Sequence, residues 1–188
     1  MSKFLLKETT VDYIARDYWR YTGARASLLK MFRNTFCNHC FAYTFWLRIA
    51  TFEEGPVARL AKRMLAKLSI RHGIQIPAGT SIGYGLYIGH GIGIVVNPTA
   101  RIGNNCNLSQ FTTIGANEGL AAVIGDNVYI GPSVCVVENV KIGDNATIGA
   151  GAVVVKDVPE NATVAGVPAK VLSYKAPGRF IGRRWLQE

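Results

Sequence analysis

From Ile74 onward an aliphatic residue returns at every sixth position. Ile76, Ile82 and Ile88 form one run, and Val96, Ile102, Leu108 and Ile114 a second, displaced by two residues. Ile124, Ile130, Val136, Ile142, Ile148 and Val154 form a third, after a four-residue insertion. Glycine directly follows the aliphatic residue at 83, 89, 103, 115, 125, 131, 143 and 149. A helix cannot use this period, because six residues at about 3.6 per turn scatter the aliphatics around the axis. A short strand followed by a turn can. Each strand sends one aliphatic inward, and the glycine, asparagine and aspartate of "IGNN" and "IGDN" are expected to supply positive-φ turn positions. Stacked coils then bury a continuous aliphatic column, which predicts a mainly β hexapeptide β-helix. At three strands to a coil, residues 74–170 make about five coils.

Before Ile74 the pattern is helical, from about residue 9 to 72. "SLLKMFRNTF" and "CFAYTFWLRIATF" carry bulky apolar residues three and four apart. Gly55-Pro56 interrupts, with Pro56 suited to the first turn of a further helix. That helix is expected to bury Val57, Leu60, Met64, Leu65 and Leu68 and to leave Arg59, Lys62, Arg63, Lys67 and Arg71 outside. Its basic face reads as solvated or, more sharply, as a peripheral contact with an anionic membrane surface. The expected organisation is a helical region over 1–73, a β-helix over 74–172 and a tail over 173–188.

Composition narrows the classes. A chain of 188 residues, 49% hydrophobic and 18% charged, is that of a folded domain rather than a disordered one. The formal charge of +9 calls for anionic partners. No nucleic-acid recognition motif accompanies the basic residues, so no nucleic-acid partner is expected. "MSKFLLKETT" lacks the apolar core of a signal peptide, and Arg48 breaks the longest apolar stretch, so a cytoplasmic location is the default. The four cysteines, 37, 40, 106 and 135, then read as free thiols. "CNHC" at 37–40 has no second ligand pair nearby, which favours packing over zinc, and no metal is expected.

The chemistry concentrates at "GLYIGHGIGIVVNP", residues 85–98. There the six-residue step gains two residues around His90, the one histidine inside the repeat. Gly91 and Gly93 are expected to leave space beside it, and a bulged turn is where loops carry function. A neutral imidazole titrates near working pH, which suits a general base that takes the proton from an attacking hydroxyl. Backbone N–H groups of the glycine-rich turn would steady the developing oxyanion.

The in-phase "[IV]-G-x-x-x-x" steps, "IGHGIGIVVNPTARIG" and the closing "VPENATVAGVPAK" resemble the hexapeptide-repeat acyltransferases. The likeness runs over roughly residues 10–175 and is closest to the serine acetyltransferase group and its relatives in surface-polysaccharide clusters. It implies a left-handed parallel β-helix, acetyl-CoA as acetyl donor, His90 as base and a homotrimer with active sites shared between subunits. Matching coils place Pro132, Ser133, Ala150 and Gly151 along the acetyl-CoA arm, with Lys156 and Lys170 toward its phosphates. Asn117 and Glu118, in the insertion, become candidate acceptor contacts, because relatives use an excursion there to cover a neighbour's site.

Three departures from that group stand out. Serine acetyltransferases carry an aspartate directly before the histidine, where this chain has Gly89. They orient the histidine with an aspartate fifteen residues upstream, where this chain has Gln75. Their insertion ends in a histidine that grips the serine carboxylate, where this shorter loop places Ala121. A pocket without those charges suits a neutral acceptor, so the expectation is O-acetylation of a saccharide, free or lipid-linked, at the inner membrane face. Gly89 then borders the acceptor, and Gln75 can hydrogen-bond the imidazole. Serine O-acetylation in cysteine biosynthesis is the alternative. Solenoid carbonic anhydrases require three zinc-binding histidines and drop out; a scaffold without catalysis would tolerate loss of His90.

Overall fold

The computed structural model describes residues 6–186; the first five and last two positions, including the start of the segment read for a leader, lie outside the described residues. Four helices come first: α1 (Glu8–Thr22), α2 (Leu28–Asn34), α3 (His39–Phe52) and α4 (Gly55–His72). Gly23 and Gly73, both at positive φ, terminate α1 and α4, as helix ends with left-handed caps commonly do. Pro56 occupies the start of α4, and the Asn38 side chain caps α3 by accepting the Phe41 N–H. None of these helices is long and apolar enough to cross a membrane.

The solenoid follows as four complete coils of three short strands. They are β1 (Ser81–Ile82), β2 (Tyr87–Ile88), β3 (Val95–Val96); β4 (Arg101–Ile102), β5 (Asn107–Leu108), β6 (Thr113–Ile114); β7 (Val123–Ile124), β8 (Tyr129–Ile130), β9 (Cys135–Val136); and β10 (Lys141–Ile142), β11 (Thr147–Ile148), β12 (Val153–Val154). Gln75 bridges Val95 ahead of the first coil, and β13 (Thr163–Ala165) with antiparallel β14 (Lys170–Ser173) ends the last. Three parallel sheets result. The first stacks β1, β4, β7 and β10; the second stacks β2, β5, β8, β11 and β13; the third stacks β3, β6, β9 and β12. The aliphatics stack in register as Ile82–Ile102–Ile124–Ile142, Ile88–Leu108–Ile130–Ile148–Val164 and Val96–Ile114–Val136–Val154, all buried.

The glycines work differently from expectation. Positive φ between the first and second sheets belongs to Gly85 and then to Asn105, Asn127, Asn145 and Asn161. Gly103 and Gly125, inside the same corners, lack positive φ and serve close approach instead. A Cβ on Gly103 would lie 2.6 Å from the Gly125 carbonyl, and one on Gly125 would lie 2.1 Å from Asp144 Oδ1. The aspartates bind the next corner: Asp144 Oδ1 accepts the Asp126 N–H at 2.8 Å. The α4 stripe is also shifted. Ala58, Ala61 and Leu65 are buried, Val57, Met64 and Leu68 half-buried, and Leu60 is 54% exposed, because small alanines let α4 lie close to α3. The five basic residues of α4 stay exposed.

The helices close the open end of the stack with buried polar side chains. Arg48 donates to the Ile82 and Gly83 carbonyls at 2.8 and 2.6 Å, and Arg20 donates to the Gly85 carbonyl at 2.7 Å. Asp17 accepts the Leu86 N–H at 2.8 Å and two donors from Arg48. Tyr43 takes the Ile76 N–H at 3.1 Å. The C-terminal tail then returns along the second sheet of its own chain. Gly178 donates to Asn145, Asn107 to Phe180, Asn105 and Trp185 bond each other twice, and Trp185 meets Trp19 edge-on.

Asp17 is 0% and Arg48 3% exposed at the side chain, so removing one partner strands a buried charge. Asp17→Ala is expected to lower unfolding free energy by about 3–5 kcal/mol in urea denaturation, whereas replacing exposed Asp12, paired with Arg16, should cost under about 1 kcal/mol.

Candidate active site

His90 sits at the corner where the chain passes from the second sheet to the third. That corner takes four residues in the next three coils (109–112, 131–134, 149–152) but six, 89–94, in the first. Backbone bonds align the corners. Phe111 N–H donates to Ile92, Ser133 N–H to Gln110, and Gly151 N–H to Pro132, at 2.8–3.0 Å. Gly93, Phe111, Ser133 and Gly151 therefore form one column, all at positive φ, with Pro132 and Ala150 beside it. The two extra residues, His90 and Gly91, project as a bulge at its head. His90 is exposed, its φ is +52°, and its carbonyl accepts the Ile92 N–H at 2.7 Å.

The bulge is held from below by the helices. The Tyr21 hydroxyl accepts the Ile88 N–H at 2.9 Å and donates to the Ile88 carbonyl at 3.3 Å. Burial pushes the Tyr21 phenol well above its usual range, so it stays a neutral donor. On the other side of His90, Cys40 Sγ accepts the Gly91 N–H at 3.2 Å. Burial raises this thiol too, keeping it protonated. The expected space beside His90 is filled: a Cβ on Gly91 would lie 3.0 Å from Ile74 Cδ1, and one on Gly93 2.6 Å from the Phe111 ring. These glycines let the turn press onto its neighbours, so access to His90 is from outside.

The other sequence candidates divide by corner. Pro132, Ser133, Ala150 and Gly151 share the His90 corner; Pro132 is half-buried and the rest are exposed, with open space at the Gly151 Cβ position. Gly89 precedes His90 and packs against the Tyr87 ring, 3.3 Å from a would-be Cβ. Gln75 lies exposed ahead of the first coil, and among the described residues no hydrogen bond joins its side chain to His90. Asn117 and Glu118 occupy the insertion between β6 and β7, at the corner between the third and first sheets. Their N–H groups, with that of Gly119, all donate to Glu138 Oε2 at 2.6–3.1 Å, which holds the Glu138 carboxyl below its usual range. Lys156 lies at that same corner, and Lys170 on exposed β14. Tyr21, Cys40 and Phe111 were not anticipated. The signal for Phe111 was present, an aromatic where the column otherwise holds small residues. Among the described residues no group of three His, Cys, Asp or Glu side chains could hold a metal ion.

A parallel β-helix with a histidine projecting from a bulged corner of its first coil points to the class, a hexapeptide-repeat transferase. Residues 121–156 match the bacterial transferase hexapeptide (six repeats) family. The serine acetyltransferase of Staphylococcus epidermidis is 39% identical over 129 residues, covering 66% of this chain and 60% of that protein. The one from Synechococcus elongatus is 37% identical over 115 residues, covering 58% and 47%. The chain thus spans about half the length of the curated relatives it matches. Among solved structures, Neisseria gonorrhoeae serine acetyltransferase in complex with serine superimposes with a TM-score of 0.70 at 31% identity, covering 86% of this chain and 68% of that one. A serine acetyltransferase complex with CoA gives 0.71 at 27% identity, covering 88% and 71%. The chain belongs to the hexapeptide-repeat acyltransferases of the serine acetyltransferase type.

These relatives overturn the saccharide acceptor, free or lipid-linked, and the kinship with polysaccharide enzymes. That expectation read the missing charges at Gly89, Gln75 and Ala121 as a pocket for a neutral acceptor. Ala121 is buried at a different corner from His90 and Gln75 lies exposed ahead of the first coil, so these positions do not wall one pocket and their lack of charge does not define the acceptor.

Tyr21→Phe keeps the ring but leaves the Ile88 N–H without its acceptor, a loss of about 1–3 kcal/mol for a buried group. Faster amide exchange at Ile88 and a lower urea midpoint are expected.

Proposed function

We propose that this protein is an acetyl-CoA-dependent serine O-acetyltransferase with His90 as general base. The observation that carries it is the exposed imidazole at the head of a column of small residues, Ser133 and Gly151 with Pro132 and Ala150. Such a column lets an extended thioester lie close to backbone and end beside the histidine. The serine acceptor rests on the names of the relatives and on the neighbour solved with serine.

In this reading His90 takes the proton from the serine hydroxyl as its oxygen bonds to the acetyl carbon. A base so placed is worth about 10²–10⁴-fold. When the tetrahedral intermediate collapses, the C–S bond breaks and the imidazolium returns the proton to the departing thiolate. The products are O-acetylserine and CoA. Of the bulge N–H groups, those of Gly89, Gly91, Ile92 and Gly93 already donate to Leu108, Cys40, His90 and His72, so none of these four is free for the oxyanion.

Within one chain Asn117 and Glu118 lie at a different corner from His90. Their assignment as acceptor contacts, and that of Lys156 toward the donor's phosphates, therefore goes with the trimer, in which one copy's loop faces the next copy's histidine. Gln75 is the residue proposed to orient the imidazole once the site is closed. The cytoplasmic location expected from the sequence fits this reading.

The test is thiol release from acetyl-CoA with free serine. Turnover with serine is expected, and His90→Ala should lower kcat by about 10²–10⁴-fold while its circular dichroism is unchanged. Absence of turnover with serine would sink the acceptor, and full activity in His90→Ala would sink the mechanism.

A further inference from the structure

Arg20 is an unusual charge for this fold. Its side chain belongs to a residue only 4% exposed, yet among the described residues no carboxylate pairs with it. Three of its donors go to neutral acceptors: the Gly182 carbonyl at 3.0 Å, the Gly85 carbonyl at 2.7 Å and Asn107 Oδ1 at 2.6 Å. A guanidinium has five N–H groups, so two remain. The acidic groups whose fields reach Arg20 are Cys106, Asp17 and Tyr21, and the one carboxylate among them, Asp17, is already bonded twice by Arg48 and once by Leu86. Arg184 adds repulsion, and burial lowers the Arg20 pKa to about 10, so the group stays charged at neutral pH. A buried cation without a counter-charge is costly, and proteins rarely keep one without a use.

Beside Arg20 lies a cavity of about 240 Å³. Its floor is Arg20, Tyr21, Tyr87 and Asn107, from α1 and the second sheet. Its roof is the returning tail, with Phe180, Gly182 and Arg183. No acidic side chain lines it. Arg183 is anchored by donating to the Tyr21 carbonyl at 2.6 Å, which leaves its guanidinium at the rim with donors to spare. Arg20 and Arg183 both line this one space, and the Tyr87 ring lies under Arg20 at 5.9 Å. Planar, delocalised cations in this arrangement match the oxygens of a phosphate or carboxylate.

We propose that this cavity is a binding site for a small oxyanion, a phosphate or carboxylate group, clamped between Arg20 below and Arg183 above. The bound anion supplies the counter-charge that Arg20 lacks. Because one clamp comes from α1 and the other from the tail, occupancy also fastens the tail to α1. The site adjoins the His90 corner, since Tyr87 packs against Gly89 and Tyr21 bonds Ile88, but its test does not depend on the acetyl-transfer reading.

The experiment is thermal unfolding of the full chain in inorganic phosphate, in acetate and in chloride, at one ionic strength. Phosphate, acetate or both should raise the midpoint by a few degrees over chloride, since a ligand that binds only the folded state stabilises it. Which anion acts assigns phosphate or carboxylate as the ligand. Arg183→Gln, at an exposed position that leaves the Arg20 bonds intact, should abolish the rise, and Arg183→Lys should keep part of it. Lys67→Gln, on the exposed face of α4, should leave it unchanged. No rise with either anion, or an equal rise in Arg183→Gln, overturns the proposal, the latter because salts that strengthen burial generally would act on both proteins alike.

Discussion

A stack of parallel coils has an unsolved first edge. The strands at its open end present N–H and C=O groups with no preceding coil to bond them, and unmet backbone groups of this kind invite pairing with another chain. This chain answers with side chains from helices. Arg48, Arg20, Asp17, Tyr21, Cys40 and Tyr43 each take a backbone group of the first coil or its approach. That explains charges buried where an apolar cap would have packed more cheaply: Leu or Phe could cover the edge but could not bond it. The His90 corner depends on this arrangement, because two of those bonds grip the backbone on either side of it.

The regular part of the molecule was legible because stacking leaves a periodic trace. Every aliphatic assigned from the six-residue step is buried, all but Ile76 in one of three in-register columns, and the bulge at His90 appears where the step gains two residues. The reason for the glycines was read less well. Period alone does not distinguish a residue that needs positive φ from one whose Cβ would strike the next coil. Asn105, Asn127 and Asn145 do the first and Gly103 and Gly125 the second. Gly91 and Gly93 were misread for the same reason, since glycine marks closeness as often as space.

The site was legible where it repeats. Pro132, Ser133, Ala150 and Gly151 could be placed with His90 because whole coils separate them. Gln75, Lys156 and the 117–118 loop could not, since a corner is decided by where each insertion falls. Tyr21 and Cys40 were hidden for a further reason. They lie in helices whose contacts with the solenoid span 67 and 51 positions, and no local pattern records such a bond. Chemistry at the acceptor was harder still, because an exposed corner shows no walls that choose it.

Repeat proteins ordinarily behave as one-dimensional arrays, in which each unit feels only its neighbours and either end can peel away alone. Here the last coil hands the chain back to the first through a tail that bonds Asn145, Asn107 and Asn105 in turn and ends on Trp19. The linear array becomes a loop of mutual support, with helix, coils and tail each holding the next. Melting of such a loop is all-or-none, so damage to the far terminus is felt as a loosened entrance at the opposite pole.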